Sequence, residues 1–416
     1  MTSYKMKVVQ INAVYEYSST GRTTTEMHEC LLAKGIDSYV FCTNYSNPKK
    51  KVFRFSGRLD MKIHSVLSRI FGLQGMFSYF STKKLLAKLE QIKPDVVHLR
   101  VLHSNCINLP LLLRYLAKHN IATVLTLHDC WYFTGHCCYF VDSKCNRWKD
   151  GCGHCPDLKN WNTSLFFDKS AKLLALKKEL FRDIKRLAVI GVSDWVTGFI
   201  KDSILKDAQI VKRIYNWIDI SKFTPRDTKA IRERIGINEN DLVVLGVAQI
   251  WSPSKGLDSF IKLAQRCPDI KIAIVGKVLE TNLPDNIILL GVVSDTQQLI
   301  DYYTMADVFF NPSLRETFGK VTIEAMAAGT PAIVYRSTAS PELIKENCGY
   351  VVEINDIESV ISCIDKVKVL GKQFYEKQCK EFVSLRFQKE RLVDEYLQLY
   401  KNITKSTAVR RNFTIK

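Results

Sequence analysis

The chain has 416 residues, 46% of them hydrophobic and 25% charged, and this composition excludes a disordered, fibrous or collagen-like protein. Its length is about twice that of an average domain, which predicts two domains of similar size. The formal net charge of +18 indicates an anionic partner: a phosphorylated ligand, an acidic membrane surface or a nucleic acid.

The first residues run almost directly into an apolar strand pattern, without the apolar core and small-residue cleavage site of a signal peptide. No apolar run approaches the roughly 20 residues that a membrane-spanning helix needs. The expectation is therefore a cytoplasmic protein.

Strand-like apolar runs alternate with amphipathic helical stretches, which is typical of parallel sheets connected by crossover helices. The first set has strands at 7–13, 38–42, 95–99, 122–127 and 187–192, and helices at 21–34, 82–92, 109–119 and 164–185. The second set has strands at 241–248, 271–275, 287–290, 308–311, 332–335 and 349–352, and helices at 257–266, 296–305, 321–328 and 357–367.

A segment at 215–225 separates the two sets and reads as a linker. We therefore predict an α/β protein with one doubly wound, Rossmann-like domain over 1–215 and a second over 216–385. A helix and tail over 386–416 are expected to pack back toward the first domain. Because open α/β sheets bind ligands beyond the carboxyl ends of their strands, a cleft between the two domains should hold the functional site.

The stretch at 47–93 contains eleven Lys or Arg residues against Asp60 and Glu90 only, interleaved with bulky apolar residues at helical spacing. This pattern suits a patch that lies on an anionic membrane surface. The alternative is a solvated helix face above a core-facing stripe.

The segment at 311–331 follows a predicted strand and opens a predicted helix, with Glu316 in the turn and Glu324 inside the helix. Backbone N–H groups at a helix N-terminus favour a phosphate, and Gly319 allows a ligand close to the backbone. Two carboxylates beside this turn could accept hydrogen bonds from a ribose and a hexose on either side of a diphosphate. The alternative is two surface glutamates on a solvated helix.

This segment resembles the donor-binding Glu-x7-Glu motif of glycosyltransferase family 4, whose members are retaining enzymes with the GT-B fold. The resemblance extends to 306–313 and to 215–219. It implies two Rossmann-like domains facing an interdomain cleft. It also implies that Glu324 binds the nucleotide ribose, that Glu316 contacts the donor sugar, and that the backbone near Phe318 and Gly319 meets the sugar and phosphate.

Three further positions follow from the resemblance. Lys255, in the family's Lys-Gly pair, is a candidate for the donor diphosphate, although the arginine usual a few residues earlier is missing. His128 follows a predicted strand and resembles the family's active-site histidine, against the alternative of a satisfied structural histidine. Gly21 and Arg22 resemble the first-domain glycine loop and would face phosphate or acceptor, although relatives usually have paired glycines there.

Six of the 13 cysteines lie between Cys130 and Cys155. Within the cluster at 130–157, four of them have a spacing that could supply thiolates to a structural zinc ion, including one Cys-x2-Cys pair: Cys137, Cys145, Cys152 and Cys155. The alternative is a set of reduced thiols, or a disulfide formed on isolation. The same segment resembles a subgroup of these transferases from bacterial exopolysaccharide clusters of the colanic-acid kind.

No Asp-x-Asp sequence is present, so donor binding is expected to be metal-independent and to need no catalytic cofactor. The resemblance implies retaining transfer of a hexose from a nucleotide sugar to an oligosaccharide. A lipid-linked acceptor at the inner membrane face would account for the basic, apolar-studded stretch at 47–93. Two rival interpretations were weighed. A nucleic-acid-binding protein with a four-cysteine module is disfavoured because tandem fingers are missing, and we expect no nucleic-acid partner. A dinucleotide-dependent oxidoreductase is disfavoured because the first strand is not followed by Gly-x-Gly-x-x-Gly.

Overall fold

The structure is a computed structural model that describes residues 5–45, 49–160, 162–223 and 226–405. The chain divides into two compact units. The first unit comprises Met1–Tyr215 together with Leu392–Lys416, and the second comprises Asn216–Arg391. Positions 47, 48, 224 and 225 and the end of the predicted tail lie outside the described residues.

The first unit is built on a seven-stranded parallel sheet with the strand order β3-β2-β1-β4-β5-β6-β7. Its elements in chain order are β1 (Lys7–Ile11), α1 (Ser18–Ala33), β2 (Asp37–Cys42), β3 (Val52–Arg54), α2 (Arg58–Phe71), α3 (Tyr79–Ile92), β4 (Val96–Leu99), α4 (Leu109–Lys118), β5 (Ala122–Leu127), α5 (Ser170–Arg182), β6 (Leu187–Gly191), α6 (Asp194–Ile200) and β7 (Ile210–Arg213).

The second unit is built on a six-stranded parallel sheet with the order β10-β9-β8-β11-β12-β13. Its elements are α7 (Lys229–Arg234), β8 (Val243–Ile250), α8 (Leu257–Arg266), β9 (Lys271–Lys277), β10 (Ile287–Gly291), α9 (Thr296–Met305), β11 (Val308–Asn311), α10 (Lys320–Ala327), β12 (Ala332–Tyr335), β13 (Gly349–Val352), α11 (Ile357–Leu370) and α12 (Lys372–Phe387).

The central strands are buried along their whole length, as strands β4, β5 and β6 illustrate. Helices on both faces of a parallel sheet exclude water from such strands, which is why they appear in the sequence as continuous apolar runs. The predicted fold class, an α/β protein with two Rossmann-like domains, is confirmed. Among the described helices, none is long and apolar enough to cross a bilayer.

The last helix, α13 (Lys389–Lys405), passes from the second unit to the first. Its Tyr400 hydroxyl lies 2.7 Å from Nδ1 of His98 on β4, and its Tyr396 hydroxyl lies 3.0 Å from Oγ1 of Thr126 on β5. The helix therefore covers the first sheet with polar as well as apolar contacts. The polar contacts satisfy buried groups that would otherwise destabilise the core.

The eleven predicted strands are all present, with bounds that differ by a few residues. The helix predicted at 164–185 starts only at Ser170, because the preceding residues bond elsewhere. Leu165 donates its N–H to the carbonyl of Arg69, at 2.8 Å, and Asp168 accepts the N–H of Ser170, also at 2.8 Å. The Asp168 side chain thereby closes a turn immediately before the helix, and this turn fixes where the helix begins.

Candidate active site

The turn that follows β11 carries the predicted donor motif. Gly319 precedes α10 with a φ of 90°, and a Cβ there would lie 3.2 Å from Cδ1 of Leu343. Glycine adopts this left-handed conformation without strain and also relieves the close contact. Gly319 therefore allows the chain to turn from Glu316 and Thr317 directly into α10.

Glu316 lies in this turn and is only partly exposed. Its carboxylate accepts a hydrogen bond from Nζ of Lys255 at 2.5 Å, with 15% of the glutamate side chain and 34% of the lysine side chain exposed. Its backbone is fixed as well, because its N–H donates to Oγ1 of Thr338 at 2.7 Å. The structure thus brings together two residues that the sequence assigned separately, one to the sugar and one to the diphosphate.

Close packing explains the glycine of the Lys255-Gly256 pair. Gly256 adopts a φ of 78°, and a Cβ at this position would lie 2.5 Å from the carbonyl oxygen of Pro312. The loop before α8 and the turn after β11 therefore touch through backbone atoms. Any larger residue at Gly256 would push Lys255 away from Glu316.

Glu324 lies inside α10 and is 4% exposed. Its Oε2 accepts a hydrogen bond from the Tyr303 hydroxyl at 3.1 Å. A carboxylate so deeply buried needs polar partners, because an unpaired buried charge is strongly destabilising. The alternative interpretation of two solvated surface glutamates is therefore wrong for both positions.

Arg315 is a site residue that the sequence analysis missed. Its Nη2 donates to Oγ of Ser254 at 3.0 Å, which brings the guanidinium to the same loop as Lys255. The sequence has no arginine a few residues upstream of Lys255, where the resemblance predicts the second cation. The available signal was the position of Arg315 directly before Glu316, in the turn itself.

In the first unit, His128 follows β5 and is 9% exposed. Burial, and then the nearby Arg100 charge, lower the pKa of His128 to about 3, so the imidazole is neutral at physiological pH. Nε of Arg100 donates to Nε2 of His128 at 3.4 Å. Because Nε2 accepts, the hydrogen-bond network assigns the ring proton to Nδ1.

Arg100 was also missed, although it directly follows the buried strand β4. It is fully buried and also donates to Oε1 of Gln10, at 3.1 Å, and to Oγ1 of Thr23, at 3.4 Å. These bonds join the ends of β1 and β4 to α1. A charged residue at the carboxyl end of a buried strand was the signal that could have identified it.

Gly21 and Arg22 lie in the first turn of α1 rather than in a loop. A Cβ at Gly21 would lie 3.3 Å from the carbonyl carbon of Tyr15, so the glycine allows the helix to approach the preceding backbone. Arg22 is partly exposed. The prediction that both face a phosphate or acceptor stays a prediction.

The four cysteines assigned to zinc, Cys137, Cys145, Cys152 and Cys155, line a single cavity of about 10 Å³, and all thirteen cysteines are free thiols. His136 lines the same cavity, and its Nε2 is buried without a hydrogen-bond partner among the described residues. Burial raises the pKa of Cys155 to about 11 and raises the pKa of Cys152 as well. Without a cation these thiols therefore stay protonated at neutral pH.

Two models of known protein families match this chain. A model described as Glycosyltransferase Family 4 matches residues 20–222, and one described as Glycosyl transferases group 1 matches residues 227–383. The Escherichia coli K12 protein named putative colanic acid biosynthesis glycosyl transferase WcaC is 23% identical over 96% of this chain and 100% of its own length.

Two further proteins are informative. An E. coli UDP-Gal:α-D-GlcNAc-diphosphoundecaprenol α-1,3-galactosyltransferase is 30% identical over 47% of this chain, and the chain spans 54% of that protein. The crystal structure of Anabaena HepE in complex with UDP superimposes with a TM-score of 0.64 at 16% identity, covering 96% of this chain and 100% of that one.

The two parallel-sheet units and the glutamate-bearing turn define a sugar-transferring enzyme of the GT-B fold. With matches to both domain models, the chain belongs to glycosyltransferase family 4 and is a hexosyltransferase by class. Membership of this family favours the glycosyltransferase prediction over the oxidoreductase and nucleic-acid interpretations.

Proposed function

We propose that the enzyme transfers a hexose, with retention of anomeric configuration, from a nucleotide diphosphate sugar to a lipid-linked oligosaccharide during synthesis of a bacterial surface polysaccharide. The names of its relatives support the class of donor and acceptor, since one acts on an undecaprenol-linked sugar and another is assigned to colanic acid biosynthesis. The complex of a structural neighbour with UDP supports the nucleotide diphosphate.

In this proposal the second unit binds the donor. The buried carboxylate of Glu324 accepts hydrogen bonds from the ribose hydroxyls, and Glu316 accepts one from the hexose. The α10 N-terminus, with the backbone near Phe318 and Gly319, meets the sugar and phosphate oxygens, because its unpaired N–H groups and dipole favour an anion.

Lys255 and Arg315 stabilise the leaving diphosphate without a divalent cation. Both lie beside the same turn, and Lys255 is already held by Glu316. Fixed cations at the position where negative charge develops lower the barrier without reorganisation during the reaction. Arg315 takes the role of the arginine that is missing before Lys255.

His128 acts as a neutral hydrogen-bond donor in this proposal. With a pKa of about 3, its imidazole is no acid or base at neutral pH. Its Nδ1–H can donate to a donor-sugar hydroxyl near the reacting carbon, while Arg100 holds the ring. The acceptor hydroxyl then attacks from the face that the nucleotide leaves, and the diphosphate takes its proton.

The observation that carries the proposal is the Lys255–Glu316 pair beside the N-terminus of the helix that buries Glu324. A screen of nucleotide sugars for donor hydrolysis should find one donor that is turned over in the presence of a chelator. The same nucleotide diphosphate should raise Tm, whereas NAD and oligonucleotides should not, because only a ligand that binds the folded state stabilises it. Stabilisation by NAD alone would refute the proposal.

An exposed apolar surface on the first unit supports a role at the membrane. Leu59, Ile63 and Val66 on α2 are 72%, 51% and 56% exposed, and Phe80 and Phe166 are 79% and 70% exposed. Basic side chains at 58, 62 and 69 lie on the same helix. Apolar residues at helical spacing with a basic flank fit the interface of an anionic bilayer, and we propose this surface for contact with its headgroups.

Flotation with phosphatidylglycerol vesicles should show binding that weakens as salt is added, because the headgroup attraction is screened. I63E should lower the partition coefficient about tenfold or more, since burial of such a side chain contributes about 1.5–3 kcal/mol. V369E is the matched control, because Val369 is 85% exposed on the second unit. Equal losses in both variants would contradict a specific surface.

The cysteine-lined cavity, we further propose, holds a structural zinc ion. The donor set fits, since thiolates suit Zn²⁺. Gly135 also donates its N–H to Sγ of Cys152 at 3.3 Å, and such a bond orients a ligating thiolate. The four sulfur atoms do not all lie within 4.8 Å of one another. Binding therefore requires the four sulfur atoms to move closer together around the ion.

Protein purified from zinc-supplemented medium should lose one equivalent of zinc on the double substitution C145S/C152S. It should also lose stability, because zinc binding contributes directly to the folding free energy of such loops. C267S, in the second unit, is the control and should keep the wild-type content. A change of less than about a tenth of an equivalent would rule out this site.

A further inference from the structure

A second cluster of metal-ligating side chains lies outside the cysteine-lined cavity. His103 follows β4, Asp129 follows β5, and Cys138 belongs to the segment between β5 and α5. One ligand atom from each lies within 4.8 Å of the other two, and Nε2 of His103 is 2.9 Å from Oδ2 of Asp129. Two separate loops, the one after β4 and the one between β5 and α5, therefore converge on one point.

Asp129 and Cys138 are held in place by further bonds. Oδ1 of Asp129 accepts the N–H of Trp131 at 2.8 Å, and the carbonyl of Cys138 accepts the N–H of Cys130 at 2.8 Å. Nδ2 of Asn162 lies 3.7 Å from Sγ of Cys138. Metal ligands are typically oriented by such bonds. Here one oxygen of the Asp129 carboxylate is already bonded, and the Cys138 sulfur faces an amide N–H.

Cys138 does not line the cavity that its neighbour Cys137 lines. The consecutive side chains of Cys137 and Cys138 therefore lie in different environments. Cys138 is 2% exposed and Asp129 9% exposed, whereas the His103 side chain is 23% exposed. The cluster is a buried site with one open side, next to His103.

We propose that His103, Asp129 and Cys138 bind one Zn²⁺ ion, distinct from the ion of the cysteine-lined cavity. One thiolate, one imidazole and one carboxylate form a donor set that suits this borderline metal. A thiolate and a carboxylate neutralise the two charges of the ion, so the filled site adds no net charge to a buried region. The fourth tetrahedral position points to the open side and takes a water molecule.

The ion positions the active-site loop rather than the substrate. Asp129 directly follows His128, so a metal bond to Asp129 fixes the segment that carries the neutral imidazole. It also ties this segment to the loop after β4, where Arg100 holds the same imidazole. Zinc binding here does not depend on the identity of the donor, whereas the positioning role rests on the proposed function of His128.

The test is the zinc content of the full chain, measured after exposure to a chelator of moderate affinity. In the C145S/C152S background, one equivalent should remain, and adding H103A or C138S should remove it. C106S in the same background is the control, because Cys106 is buried and bonds to the carbonyl of Leu102 instead. Retention of zinc in both H103A and C138S would overturn the proposal, as would its complete loss in C145S/C152S alone.

Should a variant fail to fold by circular dichroism, the C145S/C152S protein loaded with Co²⁺ replaces it. The proposal expects one tetrahedral Co²⁺ with a sulfur charge-transfer band of single-thiolate intensity. A cobalt spectrum without any sulfur band would overturn the assignment of Cys138 as a ligand.

Discussion

E324A should lower kcat/KM for the true donor by about 10²- to 10⁴-fold while leaving the protein folded. Hydrogen bonds to a charged group contribute about 1.5–3 kcal/mol each, and a carboxylate facing a ribose makes two of them. Because the ribose is remote from the reacting carbon, most of the loss should appear in KM. Steady-state kinetics across donor concentrations separate the two parameters.

E316A should reduce kcat instead, because Glu316 is proposed to hold the transferred sugar and because its loss frees Lys255. E346A is the matched control, since Glu346 is exposed in the same unit. Y303F removes the hydroxyl that donates to the Glu324 carboxylate and should lower the free energy of unfolding by about 1.5–3 kcal/mol. Wild-type kinetics in both E316A and E324A would refute the donor-site assignment.

The sequence was informative where function requires a local pattern. A strand, a glycine turn with Glu316 and a helix with Glu324 are contiguous at 308–327, so their arrangement follows from local rules of helix and turn formation. The central strands were equally clear, because burial on both faces makes them continuous apolar runs. The edge strands β3 and β7 were missed since they are short and half-exposed, as the pattern of β7 shows.

Residues joined only by tertiary packing could not be found in this way. Arg315 reaches Ser254 across 61 positions of the chain, and Arg100 reaches Gln10 across 90. Cys137 and Cys138 are neighbours in sequence but belong to different clusters. No spacing rule distinguishes them, because side-chain direction in an irregular loop depends on its tertiary contacts.

The histidines make the first unit sensitive to acid. All eight lie at or before position 154, so the second unit has none. Burial lowers the pKa of His28 and of His64 to about 4, and burial with the Arg100 charge lowers that of His128 to about 3. In the unfolded chain each titrates near 6.5. The unfolded state therefore binds more protons between these values, and stability falls as pH falls through this window.

The contribution of His103 to the pH dependence of stability has the opposite sign. Although burial alone would lower its pKa, Cys138 and Asp129 raise it well above the ordinary value. A raised pKa contributes stability that is fully present below 6.5 and is lost as pH rises through the folded-state value. It therefore gives no protection against further acidification from pH 6.5 to pH 5, where the histidines with lowered pKa values act together.

At pH 5 each of His28, His64 and His128 should reduce the free energy of unfolding of the first unit by about 2 kcal/mol, since one pKa unit corresponds to about 1.36 kcal/mol. Their sum of about 6 kcal/mol is comparable to the whole stability of many domains.

Urea unfolding at pH 7, 6 and 5 should show the first-unit midpoint falling and the second-unit midpoint steady. The masses of protease-resistant fragments distinguish the two units. H64Q should flatten the pH slope and H119Q, at an exposed position, should not. A first-unit midpoint that stays constant between pH 7 and pH 5 would show that these histidines are protonated in the folded protein.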